Sequence, residues 1–552
     1  IDLDTRAKQL SQFALLLKAC QKDAAFADAH CMPNVLTMPV CDSYTIKDTL
    51  GHFVCAYQLD WANVDRKELE DAFDLMKDAD SLGSIMRFEI SQDTREHLIE
   101  AVNAYDAEPK YAEAFMNLID GFRLIIALTE NYHALVMNPP YMGGGNMNGV
   151  LSKYVKDNYK NGKADLATVF VEMMGQRTSA NGSYAFIIPP SWMFLSTFEG
   201  LRKNIIENQS IESLLHLSRG VFGADFGASS AVIKNTSNAN ACGTYFRLVE
   251  RTFQEFEQSH LRMLFEQTLA NHDFKYNFKE YTKDVTELPY SEDGNRIYYP
   301  NVEQMNFEKI PNIRIAYWLS NVIIESFQFS KLKDTYKPKA GLSTGDNNRF
   351  LRFWYEVSND KISFSCKKRD DLKTARKKWY PMTKGGSFRK WYGNNEYILN
   401  FNNDGEELKY WLVNNPNDPT TKSYSRYIRN YESYCLPGIS FADVNSGNTN
   451  FRYQTYGYIP NARGPYIYST SKNLLGFLNT KIPNEILNAL SPTMSFNVGD
   501  VGLLPYIERE NKDVDKTVEQ NILISKSDWD AHETSWDFQR NELLSIDADT
   551  YM

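Results

Sequence analysis

Between residues 134 and 235 the sequence alternates short apolar runs with amphipathic runs, and this order constrains the fold more than any other feature. Continuous apolar runs predict buried strands at 134–137, 182–194, 211–218 and 229–235. Helical spacing of apolar residues predicts helices at 163–178, which Asp165 could start, and at 198–208. Strand–helix–strand order is typical of a mostly parallel sheet that is covered on both faces. We therefore expect an α/β core.

The first of these strands ends in Asn138-Pro139-Pro140-Tyr141, and a glycine-rich stretch follows. Two consecutive prolines stop a strand, because neither can donate to a ladder and each restricts the residue before it. One interpretation is an ordinary strand end. The other is a rigid, polar and aromatic corner at the carboxyl edge of the sheet, where open α/β folds bind their ligands.

The four residues of this corner suit one particular chemistry. The exocyclic amine of adenine is a poor nucleophile, because its lone pair is delocalised into the ring. An enzyme that methylates it must flip the base out of the duplex and hold it by stacking. The side-chain oxygen of Asn138 and the carbonyl of Pro139 could accept hydrogen bonds from the amine, and Tyr141 could stack on the base. The prolines, Pro140 included, would keep these groups preorganised.

Composition is that of a globular protein that could hold roughly two to four domains. Of its 552 residues, 43% are hydrophobic and 24% are charged, and no apolar stretch is long enough to span a membrane. We recognise no signal peptide. The seven cysteines include no C-x-x-C pair, so we predict no metal site. Reduced thiols and the absence of a signal peptide indicate a cytoplasmic protein.

Charge is distributed unevenly along the chain. The net charge is −10, yet residues 331–400 contain 17 Lys and Arg against seven Asp and Glu. Within this window the cations interleave with Trp379, Tyr380, Trp391 and Tyr392. Such a pattern suits contact with phosphates together with stacking on bases. A solvated helix face would give a similar run of cations, and the sequence leaves both interpretations open.

Several motifs together resemble a known family. They are RAKQLSQFALLLKA (6–19), DADSLGSIMRFE (78–89), NPPYMG (138–143), KADLATVFVE (163–172), GLSTGDNNRFLRFWYEV (341–357), KWYPMTKGGSFRKWYGN (378–394) and SDWDAHETSWDF (527–538). With them the chain resembles the amino-methyltransferases that modify DNA adenine using S-adenosylmethionine. More narrowly, it is similar to the adenine-specific enzymes of BREX phage-defence systems. The resemblance implies a Rossmann-like methyltransferase core followed by an irregular α+β target-recognition domain.

The resemblance also assigns a cofactor site. An acidic residue at the end of a strand would bind the ribose hydroxyls of S-adenosylmethionine, and this role falls on Asp2. Asp2 could instead cap the following helix, as Asp4 could. Asp80 stands where the family places an acceptor for the adenine amine of the cofactor, and Leu82 could line that pocket. A plain turn before Gly83 is the alternative for Asp80.

An aromatic side chain opposite Tyr141 completes the base-binding site that the resemblance implies. Phe222 matches its position, although Phe226 could take the role, and either could be an ordinary core residue. The glycine-rich cofactor loop of the family is absent, and the first residues look like the end of a strand. We therefore expect a fragment that lacks an N-terminal part and is inactive alone, binding S-adenosylmethionine weakly or not at all.

We divide the chain into a methyltransferase core with a helical insertion (1–250), a connecting segment (251–330), a DNA target-recognition domain (331–505) and an acidic C-terminal segment (506–552). The predicted contacts to double-stranded DNA are Asn347 and Arg349 for base edges, and Arg369, Lys377, Lys378, Arg389 and Lys390 for phosphates.

Two functions remain open at this stage. The first is site-specific adenine methylation in phage defence. The second is a DNA-recognition or interaction module of a defence complex, in which methylation is absent or depends on partners. Other BREX proteins, or a phage inhibitor that mimics DNA, could be those partners.

Overall fold

The computed structural model describes residues 5–27, 32–39, 43–61, 64–109, 112–221, 226–251, 254–283, 287–444, 448–492, 495–541 and 544. Six helices come first: α1 (Thr5–Lys22), α2 (Ser43–Tyr57), α3 (Arg66–Met76), α4 (Ala79–Leu82), α5 (Gln92–Ala107) and α6 (Ala112–Thr129). Asp65 caps α3 and Ser91 caps α5, since each side chain accepts a backbone N–H of the first turn. No helix in these ranges is long and apolar enough to cross a membrane.

The central sheet follows these helices. Its region contains β1 (Tyr132–Met137), α7 (Gly149–Asn158), α8 (Leu166–Arg177), β2 (Thr178–Ile188), α9 (Glu199–Asn208), β3 (Ser210–Arg219), β4 (Gly227–Lys234), β5 (Cys242–Arg247), α10 (Gln258–Ala270), β6 (Lys275–Tyr276), β7 (Asn295–Arg296), β8 (Tyr298–Glu303) and α11 (Asn321–Ser326). The strand order in the six-stranded sheet is β1-β2-β4-β3-β5-β8. As predicted, Asp165 starts α8, because its carboxylate accepts the N–H of Ala167 at 2.9 Å.

The sheet corrects one sequence-based prediction, because it is mixed and not mostly parallel in its pairing. Of its neighbouring pairs, β1–β2 and β3–β5 are parallel, whereas β2–β4, β3–β4 and β5–β8 are antiparallel. Residues 220–226 join β3 to β4, and this link is too short for the crossover that parallel neighbours require. Strands β1, β2, β3 and β5 still run in one direction, so their carboxyl ends share one edge of the sheet.

The remaining elements are shorter: α12 (Leu332–Thr335), α13 (Asn347–Phe350), β9 (Leu351–Phe353), α14 (Asp371–Thr374), β10 (Trp379–Thr383), β11 (Tyr397–Asn400), α15 (Asn402–Val413), β12 (Gly438–Phe441), β13 (Phe451–Gln454), β14 (Ile459–Pro460), β15 (Tyr466–Ile467), α16 (Lys472–Leu478), α17 (Lys481–Leu490), α18 (Val498–Gly502) and α19 (Lys512–Asp530). They contain a four-stranded sheet, β14-β10-β11-β9, and a three-stranded sheet, β13-β12-β15.

Two large apolar clusters organise the molecule. The larger one joins the N-terminal helices and the central sheet to residues between 439 and 518, with Trp192 among its fully buried members. The second cluster lies within 342–459 and is built around Tyr380. A buried ion pair, Arg314 with Asp500 at 2.5 Å, ties the two halves of the sequence together. The four-segment division remains a prediction.

Candidate active site

The Asn138-Pro139-Pro140-Tyr141 corner lies at the carboxyl edge of the central sheet. The last pair of the β1–β2 ladder is Met137 with Phe186, and the chain leaves the sheet directly after it. Asn138 is exposed and Pro139 is buried, so the polar side chain is presented on a packed base. The prolines therefore turn the chain outward at the edge where α/β sheets bind ligands.

Tyr141 is held beside Asn138. Its hydroxyl lies 2.8 Å from Asn138 Oδ1 and 3.1 Å from the carbonyl oxygen of Ile187, near the end of β2. Partial burial raises the pKa of Tyr141 above its usual value, so the hydroxyl stays protonated and can donate at neutral pH. The corner thus presents an amide, a hydroxyl and an aromatic ring within a few ångströms.

A second aromatic ring meets Tyr141. The Phe226 ring lies 5.3 Å from the Tyr141 ring, centroid to centroid, with 78° between the planes, and it is 40% exposed. This edge-to-face contact is a favourable geometry for two aromatic rings. Phe222, the position that matched the family, lies outside the described residues. Of the two aromatic candidates, Phe226 is the one whose contact with Tyr141 is described.

The glycine-rich stretch after the corner is anchored to the start of α8. Gly144 donates its N–H to the carbonyl of Ala164, and Leu166 donates to the carbonyl of Met142, each at 2.9 Å. A Cβ on Gly144 would lie 3.4 Å from the Ala164 oxygen, in van der Waals contact with it. The loop is therefore held close to the helix whose start the sequence predicted.

Some of the predicted cofactor-binding residues lie near this loop. Asp80 is exposed in α4, and its neighbour Ser81 accepts a hydrogen bond from Asn148 Nδ2 at 3.1 Å. Asn148 caps α7, directly after the glycine-rich stretch. Leu82 is 4% exposed and packs in the main core. Asp2 lies outside the described residues, and Asp80 is the predicted cofactor residue whose neighbour contacts the start of α7.

Sequence reasoning missed the groups that brace the end of β2. Trp192 Nε1 donates to Ser229 Oγ at 2.9 Å, and Ser229 Oγ donates to the carbonyl of Ile188 at 3.2 Å. Arg202 is fully buried and donates to the carbonyl oxygens of Trp192 and Leu195, at 2.6 and 2.8 Å. The one available signal was the second proline pair, which follows Ile188.

The two predicted base-reading residues lie at the start of α13. Asp346 caps this short helix, because its carboxylate accepts the N–H of Arg349 at 3.1 Å. Asn347 is exposed, although its Oδ1 accepts the hydroxyl of Thr344 at 2.7 Å. Arg349 forms an ion pair with Glu407 at 3.0 Å. Both side chains reach the surface, and both have partners within the chain.

The side chains predicted to contact phosphates differ in their exposure to solvent and in their partners within the chain. Lys378 is exposed and lies 5.8 Å from the centre of the Trp379 ring. Lys377 is half-buried and donates to the carbonyl of Asp360. Arg369 lies 3.7 Å from a carboxylate oxygen of Glu432. We therefore expect Lys378 to be the most accessible of these three cations.

The other two cations, Arg389 and Lys390, have partners within the chain. Arg389 pairs with Asp528 at 2.6 Å and lies 5.1 Å from the centre of the Trp529 ring. Lys390 Nζ donates to the carbonyl of Asn479 at 2.7 Å, and burial lowers the pKa of Lys390. The C-terminal motif at 527–538 therefore contacts Arg389, whereas Lys390 is held at the end of α16.

Burial changes the interpretation of the interleaved aromatic residues. Tyr380 is fully buried, and Trp379 and Tyr392 are 8% and 7% exposed. A base can stack only on a ring that solvent can reach. These three rings therefore build the core of the region and do not form a stacking platform.

The first comparisons with known proteins are with a family model and a solved structure. Residues 1–222 match the family described as the Eco57I restriction-modification methylase. This chain is also similar to a solved structure of the Type IIL restriction-modification enzyme MmeI in complex with DNA. The match covers 75% of this chain and 52% of the MmeI chain, with 13% identity and a TM-score of 0.45.

The particular relatives are adenine-specific methyltransferases. The chain is 30% identical to PglX of Lacticaseibacillus casei (strain Zhang) and 29% identical to BrxX of Escherichia coli O9:H4 (strain HS), in each case over 99% of its length. It spans 43% of the length of either relative. The chain is homologous to PglX and BrxX over that span, which confirms the resemblance that the motifs indicated.

Proposed function

We propose that the protein to which this chain belongs methylates the N6 amine of adenine at specific sites in double-stranded DNA, as part of phage defence. One observation carries the proposal: an exposed Asn138 amide, a rigid proline pair and two adjoining aromatic rings occur together at the carboxyl edge of the sheet. Homology to adenine-specific methyltransferases supports the same chemistry.

The corner binds the target base. Asn138 Oδ1 and the Pro139 carbonyl accept the two amine protons, which draws electron density onto the nitrogen as its lone pair attacks. Because the proline backbone holds the Pro139 carbonyl, this acceptor needs little reorganisation at the moment of reaction. Tyr141 supplies the stacking face, and such stacking is worth roughly 1–3 kcal/mol per base.

Phe226 has to move when the base enters. A base stacked between two rings needs about 3.5 Å on each side, or roughly 7 Å between the ring planes. The Tyr141 and Phe226 centroids are only 5.3 Å apart and the rings meet edge to face. Phe226 therefore fills the place of the base in the free protein and is displaced, or turns, when adenine is bound.

A bound S-adenosylmethionine would supply the methyl group: the sulfonium S–C bond would break as the N6–C bond forms, S-adenosylhomocysteine would leave, and the methylated nitrogen would lose one proton to solvent. The residues described here fit part of such a site. Asp80 presents an exposed carboxylate beside the loop that follows the corner, and a carboxylate is a suitable acceptor for an adenine amine. Leu82 is too buried to contribute more than the wall behind it. Asp2 would hold the ribose hydroxyls, and Asp2→Ala should weaken cofactor binding.

The region from 331 to 505 recognises the DNA sequence in this proposal. Arg349 and Asn347 are exposed at one helix start, and their side chains suit guanine and adenine edges respectively. The phosphate contacts around Lys377 and Lys378 position the duplex without reading it. Other BREX proteins and DNA-mimicking phage inhibitors are the protein partners we propose.

Modified-base sequencing of a host genome, with and without the gene, tests this function. We expect N6-methyladenine at one recurring sequence only when the gene is present, and its loss in an Asn138→Ala strain. An unchanged methylation pattern would contradict the proposal. Binding to DNA without methylation would instead favour a recognition module within a defence complex.

A further inference from the structure

The hydroxyl of Tyr141 has one proton and two acceptors. Asn138 Oδ1 lies 2.8 Å away on one side, and the carbonyl oxygen of Ile187 lies 3.1 Å away on the other. A carbonyl oxygen can only accept, so the hydroxyl cannot donate fully to both at once. The direction of this proton determines how much of the Asn138 oxygen is free for a substrate.

The amide of Asn138 offers a second arrangement with the same heavy-atom contacts. Rotating it by 180° places Nδ2, a donor, where Oδ1 now faces the hydroxyl. Tyr141 can then accept from Asn138 Nδ2 and donate its own proton to Ile187. Each donor has an acceptor in this arrangement, and both lone pairs of Oδ1 point away from Tyr141.

We infer that Tyr141 is a positioning residue for Asn138 as well as a stacking face, and that the relay Asn138 Nδ2–H to Tyr141 Oη–H to the Ile187 carbonyl turns Oδ1 towards the target amine. This inference rests on the proposed function. In the resting arrangement Tyr141 occupies one lone pair of Oδ1. When the base enters, the rotated amide presents the full acceptor.

The far end of the relay is rigid, which is what a positioning device requires. Ile187 lies one residue beyond the last β1–β2 pair, Met137 with Phe186, and still pairs with Ser230 of β4. The next residue, Ile188, is braced by Ser229. The second proline pair then leaves the sheet, so the position of the Ile187 carbonyl is set by neighbours on both sides.

Tyr141→Phe separates positioning from stacking, because it keeps the ring and removes only the hydroxyl. We expect kcat for methyl transfer to fall about tenfold, the effect of losing one aligned hydrogen bond in the transition state. KM for a duplex carrying the recognised site should stay within about twofold, since the stacking face remains. The DNA sequence that the protein recognises is first identified by modified-base sequencing.

Tyr132→Phe is the matched control. Tyr132 is a half-buried tyrosine on β1, the strand that precedes the corner, and its hydroxyl donates to the backbone carbonyl of Ala127 at 2.8 Å. The Tyr132→Phe variant should lose about as much thermal stability as the Tyr141→Phe variant and keep the wild-type kcat. Melting curves for both variants show whether either loss comes from unfolding.

Two results would overturn the inference: wild-type kcat in Tyr141→Phe, whatever its KM, or an equal loss of kcat in Tyr132→Phe. These rates are measured on the whole protein to which the chain belongs. Failure of the proposed function gives a different result, because the wild-type form of that whole protein would then transfer no methyl group. A tenfold loss of kcat confined to Tyr141→Phe supports the relay.

Discussion

Reversing the charge of Lys377 and Lys378 tests whether the basic region meets phosphates. Both lie between α14 and the start of β10, and Lys378 is exposed. We leave Lys390 unchanged because burial lowers its pKa and its ammonium is tied to the carbonyl of Asn479. The ammonium of Lys377 has to leave the carbonyl of Asp360 to meet a phosphate. Each phosphate contact adds about 0.9 to the slope of log K against log salt. The double change to Glu should therefore flatten the slope by about 1.8.

That slope predicts a measurable difference in affinity. A fourfold rise in salt, from about 50 to 200 mM, should weaken the wild-type protein roughly twelvefold more than the variant. Fluorescence anisotropy with a labelled duplex measures both affinities. Specific and random duplexes should be affected alike, because phosphate contacts carry no sequence information.

A control with the same net charge separates local contact from general repulsion. Lys512 and Lys516 are exposed on α19, and reversing both gives the same total charge as the test variant. This control should keep the wild-type slope. An unchanged slope in Lys377→Glu/Lys378→Glu, or an equal change in the control, would show that the basic run is a solvated face.

Three further predictions concern recognition, cofactor and stability. Arg349→Ala should relax sequence discrimination with little change in salt slope, measured by the spread of methylated sequences; unaltered specificity would place base reading elsewhere. Asp80→Ala should lower the affinity for S-adenosylmethionine in calorimetry, whereas undiminished binding would remove Asp80 from the cofactor site. Asp500→Ala leaves Arg314 buried without its carboxylate, so urea unfolding should show a loss of about 3–5 kcal/mol; a loss below 1 kcal/mol would contradict the pairing.

Local signals in the sequence predicted the elements that carry the site. Asp165 caps α8 as expected, because an N-cap depends on neighbouring residues alone. The end of β1 at Met137 likewise follows from the two prolines beside it. The corner could be located from sequence for this reason.

Long-range contacts account for what the sequence did not predict. The direction of β4 depends on the short link after β3 and on pairing with β2, neither of which hydrophobic periodicity reports. The environment of Arg389 depends on Asp528, which is 139 positions away in the sequence. A sequence does not show whether a Lys or Arg side chain is paired or free in the folded chain.

The aromatic residue opposite Tyr141 could not be chosen from sequence either, although both candidates lie close together in the chain. Phe222 and Phe226 are four positions apart and both follow β3, so the motif admitted either one. The contact of the Phe226 ring with Tyr141 is described, whereas Phe222 lies outside the described residues, so the assignment stays a prediction. The hydrogen bond between Trp192 and Ser229, next to the second proline pair, could not be predicted from sequence either, since it joins residues 37 positions apart.

The rate of methyl transfer to DNA by Asn138→Ala, measured on the whole protein to which this chain belongs, tests the central claim most directly. Losing one acceptor for the target amine should lower kcat by about 10²–10³-fold. Stability should fall by only about 0.5–1.5 kcal/mol, because Asn138 is exposed and loses a single hydrogen bond to Tyr141. Asn208 is the matched control: it is exposed at the end of α9, and its Nδ2 donates to Asn204 Oδ1 at 3.1 Å. Asn208→Ala should transfer methyl groups at the wild-type rate. If Asn138→Ala did so too, the corner would not be the active site.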